Sequence, residues 1–209
     1  MAYTTLSPEE IRAAVLKEAK KQFLQNGIAN TQMKKIAKAV NIGRSTLYRY
    51  YTEKEQLAFL VTLQIIDEMI GQVLAKTHDE TLSGIEQLRA FFEAYIDELK
   101  ANMDILRYFA DFDHIFEKDY PQFSEAEEFV KAMNRFSVLP SQFIINGMND
   151  GSIKTEEDPM ILASVMLNAI MGTSVRVLPR SKHYKEEQGS SGEVIVNKTL
   201  ELLLKAIKG

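Results

Sequence analysis

TQMKKIAKAVNIGRSTLYRYYTEK, residues 31–54, is the stretch on which the fold turns. It reads as two short helices, Met33 to Val40 and Arg44 to Tyr51, packed across a brief turn. Ala37 is small where the two would cross. Asn41 falls at the turn, and asparagine tolerates the left-handed backbone such a turn needs. Ile42 is an apolar plug between the helices, and Gly43 is an acceptable N-cap for the second. Leu47 and Tyr51, four apart, share the inward face. That leaves Arg44, Ser45, Thr46, Tyr48 and Arg49 outside. An ordinary solvated helix would show Glu and Lys there. This face instead carries hydrogen-bonding side chains, short at the helix N-terminus and longer after it. An α-helix fits the DNA major groove, where base edges present a distinct donor and acceptor pattern. Short residues let the N-terminus approach closely, arginine bonds guanine in bidentate fashion, and Thr46 suits a thymine methyl. Tyr50, Lys54 and the first amides of the next helix are placed for phosphate. Thr31 and Lys34 open the preceding helix within reach of the backbone or a groove edge.

Charge agrees with this reading. The net charge of the chain is −4, and its distribution is uneven. Residues 1–54 hold ten Lys/Arg against four Asp/Glu, and residues 55–209 hold fifteen against twenty-five. A basic end on an acidic body suits a protein that meets a polyanion at one end. Hydrophobic residues make up 45% of the 209, enough to bury a core and too many for a disordered chain. The absence of cysteine excludes disulfides, a thiolate nucleophile and cysteine metal sites. No signal peptide is visible, and no apolar run is expected to cross a bilayer. A cytoplasmic location is expected. Asn197-Lys198-Thr199 matches a glycosylation acceptor only by chance in that setting.

Apolar residues recur at three and four positions nearly everywhere, so the expected fold class is all-α, with about nine helices. Ser7 as N-cap, Pro8 at the first helical position and Glu9 and Glu10 after it start the first helix, and Asn26-Gly27 ends it. A long helix from near Glu53 to about Lys76 joins an N-terminal helix-turn-helix domain, 1–54, to a helical domain, 55–209. Later helices are expected near 82–101, 103–117, 124–149, 158–178 and 193–208. Pro140 should kink its helix. Residues 179–192 are polar and glycine-rich and read as a mobile loop.

The segment resembles the DNA-binding domain of the TetR family of bacterial transcriptional regulators. Phe23, Gly27, Thr31, Ile36-Ala37, Ile42, Thr46-Leu47-Tyr48, Tyr51, Lys54 and Leu57 carry the likeness over about fifty residues, with a fainter echo from Ile145-Asn146-Gly147 to Asp158. The resemblance implies that Arg44, Ser45, Thr46, Tyr48 and Arg49 belong to a recognition helix. Lys34 is implied as a further contact, and Tyr50 and Lys54 as phosphate contacts. The chain departs from the family pattern at Asn41, where glycine is usual, and at Gly43 and Met33, where Ser or Thr is usual. Arg49 sits in a slot often aromatic. The missing hydroxyls bear on which operator is read.

The resemblance also implies a homodimer through the last two helices, here 160–177 and 194–207. The first reads MILASVMLNAIMGTSV and is apolar on nearly every side, as a helix buried on two faces should be. A central core helix in a monomer would show the same pattern. The middle of the chain is rich in Phe and Met, and Phe109, Phe112 and Phe116 share a face. On residues alone such a stripe is plain core. The resemblance makes it the wall of an effector pocket, with Phe109, Phe112, Phe116, Met133, Phe136, Phe143 and Met166 suited to an apolar or aromatic small molecule. Both readings stay open, as does a helical interaction protein without DNA function. Asp111, Asp113, His114 and Glu117 share helix faces, but a solvated acidic face explains them and no metal is expected. No cofactor loop and no catalytic motif is present, so no enzyme is expected. The expected partners are a palindromic double-stranded DNA operator, a second copy of the chain and an unidentified small-molecule effector. The expected role is a regulator, most simply a repressor.

Overall fold

The computed structural model describes residues 7–77, 79 and 81–209. The first residues of the chain and His78 lie outside the described residues. Ten helices account for the regular structure of the described residues: α1 Pro8–Asn26, α2 Met33–Ala39, α3 Arg44–Tyr50, α4 Lys54–Thr77, α5 Gly84–Ala101, α6 Met103–Ile115, α7 Ser124–Asp150, α8 Pro159–Val177, α9 Ser181–Gln188 and α10 Gly192–Ile207. A lone antiparallel bridge, Ile153 to Lys208, is added to them. The all-α expectation holds. The start of α1 is as expected: the Ser7 hydroxyl accepts from the Glu10 amide at 3.2 Å, and the Glu10 carboxylate accepts from the Ser7 amide at 2.7 Å.

Helix α9, the one beyond the nine expected, corrects the loop expected over 179–192. Residues 181–188 are helical because three local devices hold them. Tyr184 is buried, Arg180 pairs with Glu187 at 2.9 Å, and Gly189 ends the helix in the left-handed region at φ 75°. Polar composition hid the helix, since one buried ring is anchor enough for two turns. Pro140 lies inside α7 without ending it. The Ser141 hydroxyl donates to the Val138 carbonyl at 2.6 Å beside it. A third difference concerns length: α4 and α8 are long and apolar enough, by length and composition, to cross a membrane, contrary to expectation. In α4 the apolar residues Leu57, Phe59, Val61, Ile65, Met69 and Val73 are instead buried within the protein.

The chain divides into two compact units. The first comprises 1–65 with 107–130, so it contains the expected helix-turn-helix domain and more. Its core is Val15, Ala19, Phe23, Ile28, Ile36, Leu47, Leu57, Phe59 and Phe112. Tyr108 is buried in it, with its hydroxyl donating to the Ala58 carbonyl at 2.7 Å and lying 2.9 Å from the Thr62 hydroxyl. The second unit comprises 66–106 with 131–209. Leu88, Phe91, Phe92, Tyr95, Phe136, Met166, Ile170, Val196, Leu200 and Leu204 form its core. Here α5 and α7 touch backbone to backbone: a Cβ on Gly84 would lie 2.0 Å from the Gly147 nitrogen. The start of α5 is then tied to the end of α7 by Asp150, which accepts from the Gly84 amide at 2.7 Å.

Candidate nucleic-acid interface

The turn between α2 and α3 is built as its residues dictate. Asn41 has φ 56°, a conformation most side chains avoid. The Ile42 amide donates to the Ala37 carbonyl at 3.0 Å and closes the turn. Gly43 caps α3 through its extended backbone, with no side-chain bond. Leu47 is fully buried, and the adjoining Tyr51 is buried with its hydroxyl donating to the Arg12 carbonyl on α1 at 3.3 Å. Burial pushes the Tyr51 phenol above its ordinary pKa, so it stays a donor.

With Leu47 and Tyr51 inside, Arg44, Ser45, Tyr48 and Arg49 are exposed and Thr46 is half-buried beside them. The Arg44 guanidinium lies over the Tyr48 ring at 5.3 Å. Arg49 lies over the Tyr50 ring at 5.4 Å, and Arg12 of α1 lies over the same ring at 5.2 Å. Lys34 is exposed on α2. Lys54 opens α4 and spends one donor on the Ala29 carbonyl at 3.0 Å, which leaves two N–H groups.

Thr31 stands apart from this set. It is 3% exposed, and its hydroxyl lies 2.8 Å from the Gly27 carbonyl and 3.2 Å from that of Gln22. It ties the loop before α2 to the end of α1. The same loop is held from α6: the Asp111 carboxylate accepts from the Ile28 amide at 2.5 Å. Sequence reasoning missed both Arg12 and Asp111. The signal for Arg12 was present, as a basic residue on the polar side of α1. Asp111 is 83 residues from its partner, and no local pattern announces it.

The seven residues expected to line an effector pocket divide between the two units. Phe109, Phe112 and Phe116 are in the first unit, Met133, Phe136, Phe143 and Met166 in the second. Phe112 and Phe116 pack on Phe59 at 5.0 and 4.7 Å between centroids, and Phe129 packs on it at 5.5 Å. Phe136 and Met166 are core, and Met133 is exposed. Phe143 lines an open groove of about 360 Å³ with Leu74, Thr77, Asp79, Gln87, Leu139 and Asn146. Among the described residues no three His, Asp or Glu side chains converge as metal ligands do.

Residues 15–61, which span this helix-turn-helix, match the profile of the bacterial regulatory proteins of the tetR family. The N-terminal segment of the chain, residues 15–61, thus carries a DNA-binding domain of the tetR type. Among curated relatives, an HTH-type transcriptional regulator of Staphylococcus aureus is 28% identical over 100 residues, which is 48% of each chain. The chain thus spans about half the length of the curated relatives it matches. A solved structure of a Saccharomonospora viridis protein, described as a transcriptional regulator in complex with choline, superposes with a TM-score of 0.73 at 16% identity, covering 96% of this chain and 99% of that one. The transcriptional regulator FadR of Bacillus subtilis, in complex with stearoyl-CoA, superposes with a TM-score of 0.66 at 16% identity, covering 92% and 97%. At such identities the two structures speak for the fold alone. The family and its curated relatives are regulators, not enzymes.

Proposed function

We propose that this chain is a one-component transcriptional regulator of the TetR family that binds a palindromic DNA operator as a homodimer and represses until a small apolar or aromatic effector releases it. The observation that carries the reading is the exposed face of α3. Arg44, Ser45, Tyr48 and Arg49 are presented outward by a helix whose only fully buried side chain is Leu47. In this reading Arg44, Ser45, Thr46, Tyr48 and Arg49 meet base edges, and Lys34, Tyr50 and Lys54 meet phosphates. Thr31 is left out, because its hydroxyl already serves its own backbone.

Support for the homodimer comes from α8 and α10. Ile161 is 60% exposed, Val165 52%, Val194 54% and Leu202 61%, a large apolar surface for a chain standing alone. Two half-sites about 34 Å apart require two reading heads. A cytoplasmic location follows from the work proposed.

For the effector, the groove beside Phe143 offers apolar walls with two amides at its edge, Asn146 donating to Gln87 at 3.0 Å. The choline and stearoyl-CoA of the solved relatives suggest the first compounds to try. Release would be a population shift, the effector preferring a conformation that DNA does not. The helix α4, which begins in one unit and ends in the other, would be the lever. The packed rings around Phe59 favour a second reading, in which the aromatic stripe is filled core and no effector binds.

Binding to a duplex from upstream of its own gene tests the main reading. Affinity should fall steeply as salt rises. Absence of binding at low salt would remove the proposal. Thermal shift with choline and long-chain acyl-CoA separates the two effector readings: a raised melting temperature that is lost in Phe143→Ala supports the groove, and no shift with any lipophilic compound supports the filled core.

A further inference from the structure

The Tyr50 ring holds two guanidiniums, and neither has a counter-ion among the described residues. Arg49 reaches the ring from the same helix, 5.4 Å from its centroid, and Arg12 reaches it from α1 at 5.2 Å. Neither arginine forms an ion pair with a described carboxylate, although the chain has 29 Asp and Glu to choose from. Elsewhere in the chain arginines on helix surfaces do find acids: Arg89 pairs with Glu93 and Arg180 with Glu187. Two cations about one ring repel each other, and the ring offsets only part of that cost. An arrangement that gathers like charges at one end of a recognition helix is complete when an anion joins it.

The α1 backbone is fixed there as well, because the Tyr51 hydroxyl donates to the Arg12 carbonyl. Arg12 is therefore a side chain held at the edge of α3 from a third helix. Its planar donors suit a phosphate oxygen pair.

We infer that Arg12, with Tyr50, forms a phosphate clamp, and that α1 contacts the DNA backbone alongside α2, α3 and α4. This rests on the DNA-binding reading above. Because a phosphate carries no sequence information, Arg12 contributes to every duplex alike.

The test measures binding of the full-length protein to its upstream duplex and to a mixed-sequence duplex across a range of salt. Arg12→Gln should weaken both by the same factor. It should also flatten log K against log salt by about 0.9 for each phosphate that Arg12 no longer neutralises, hence about 1.8 for a dimer. Lys182→Gln, an equal change of charge on α9, should leave the slope unchanged. If wild-type protein binds and Arg12→Gln keeps the wild-type slope, or loses affinity on one duplex alone, the clamp is wrong and the DNA reading survives. If wild-type protein binds neither duplex, both fall together. A second measurement needs no variant. Phenylglyoxal should modify Arg12 in free protein and do so more slowly with the mixed-sequence duplex bound; an unchanged rate overturns the clamp even if Arg12→Gln fails to fold.

Discussion

Arg44 and Tyr48 act as one unit at the residue scale, since the guanidinium rests on the ring at 5.3 Å. Replacing either by Ala should cost about 1–3 kcal/mol on the operator and little on random DNA. The double variant should lose less than the sum, because each holds the other in place. A double-mutant cycle of operator affinity reads this directly, and strict additivity would mean the two side chains contact DNA independently. Asp111 works differently. Its carboxylate satisfies the Ile28 amide, in the loop that leads into α2. Asp111→Ala should destabilise the protein by about 1–3 kcal/mol, the cost of an orphaned part-buried amide, visible as a lowered urea midpoint.

Close approach and end-capping decide stability at the scale of elements. Gly84 faces the backbone of Gly147, which cannot move aside as a side chain can. Gly84→Ala should therefore cost toward the upper end of about 1–3 kcal/mol. Gly71, inside α4 with nothing within 4 Å of a would-be Cβ, should respond with the opposite sign. Gly71→Ala should stabilise by about 0.4–1 kcal/mol, since it only restricts the unfolded chain. Urea titrations of the pair give the two signs. At the same α5–α7 junction, the Asp150 carboxyl is held below the usual carboxylate range by donors from Ser152 and from the Gly84 amide. A depressed carboxyl stabilises the fold fully above its unfolded value of about 4 and loses that contribution as pH falls through the lower folded value. Asp150→Ala should thus lower stability at neutral pH and flatten its fall in acid. An unchanged acid limb would mean that the bonds to Gly84 and Ser152 do not persist in solution.

The open question for the whole molecule is what covers α8 and α10. Val165 and Ile161 lie one turn apart on the exposed side of α8. If a second copy covers them, Val165→Glu should yield a monomer in sedimentation while leaving the helical circular dichroism intact. The monomer should bind operator much more weakly, since one head reads one half-site. A wild-type protein that is already monomeric would end that reading.

Local pattern settled more of this protein than its length suggests. Residue order was enough for the all-α class, the ends of α1, the Asn41 turn and the outward face of α3. Each depends on residues within about one or two helical turns, where propensity, capping and periodicity act. Packing between distant segments settled the rest. It joined 107–130 to the first unit, took Thr31 out of the exposed set and assigned three of the expected effector residues to the first unit and four to the second. It also placed Arg12 at the edge of the exposed α3 face of the helix-turn-helix. Those outcomes turn on which distant surfaces meet. A periodic stripe says that a face is buried, but the partner that buries it is chosen by packing across the whole chain.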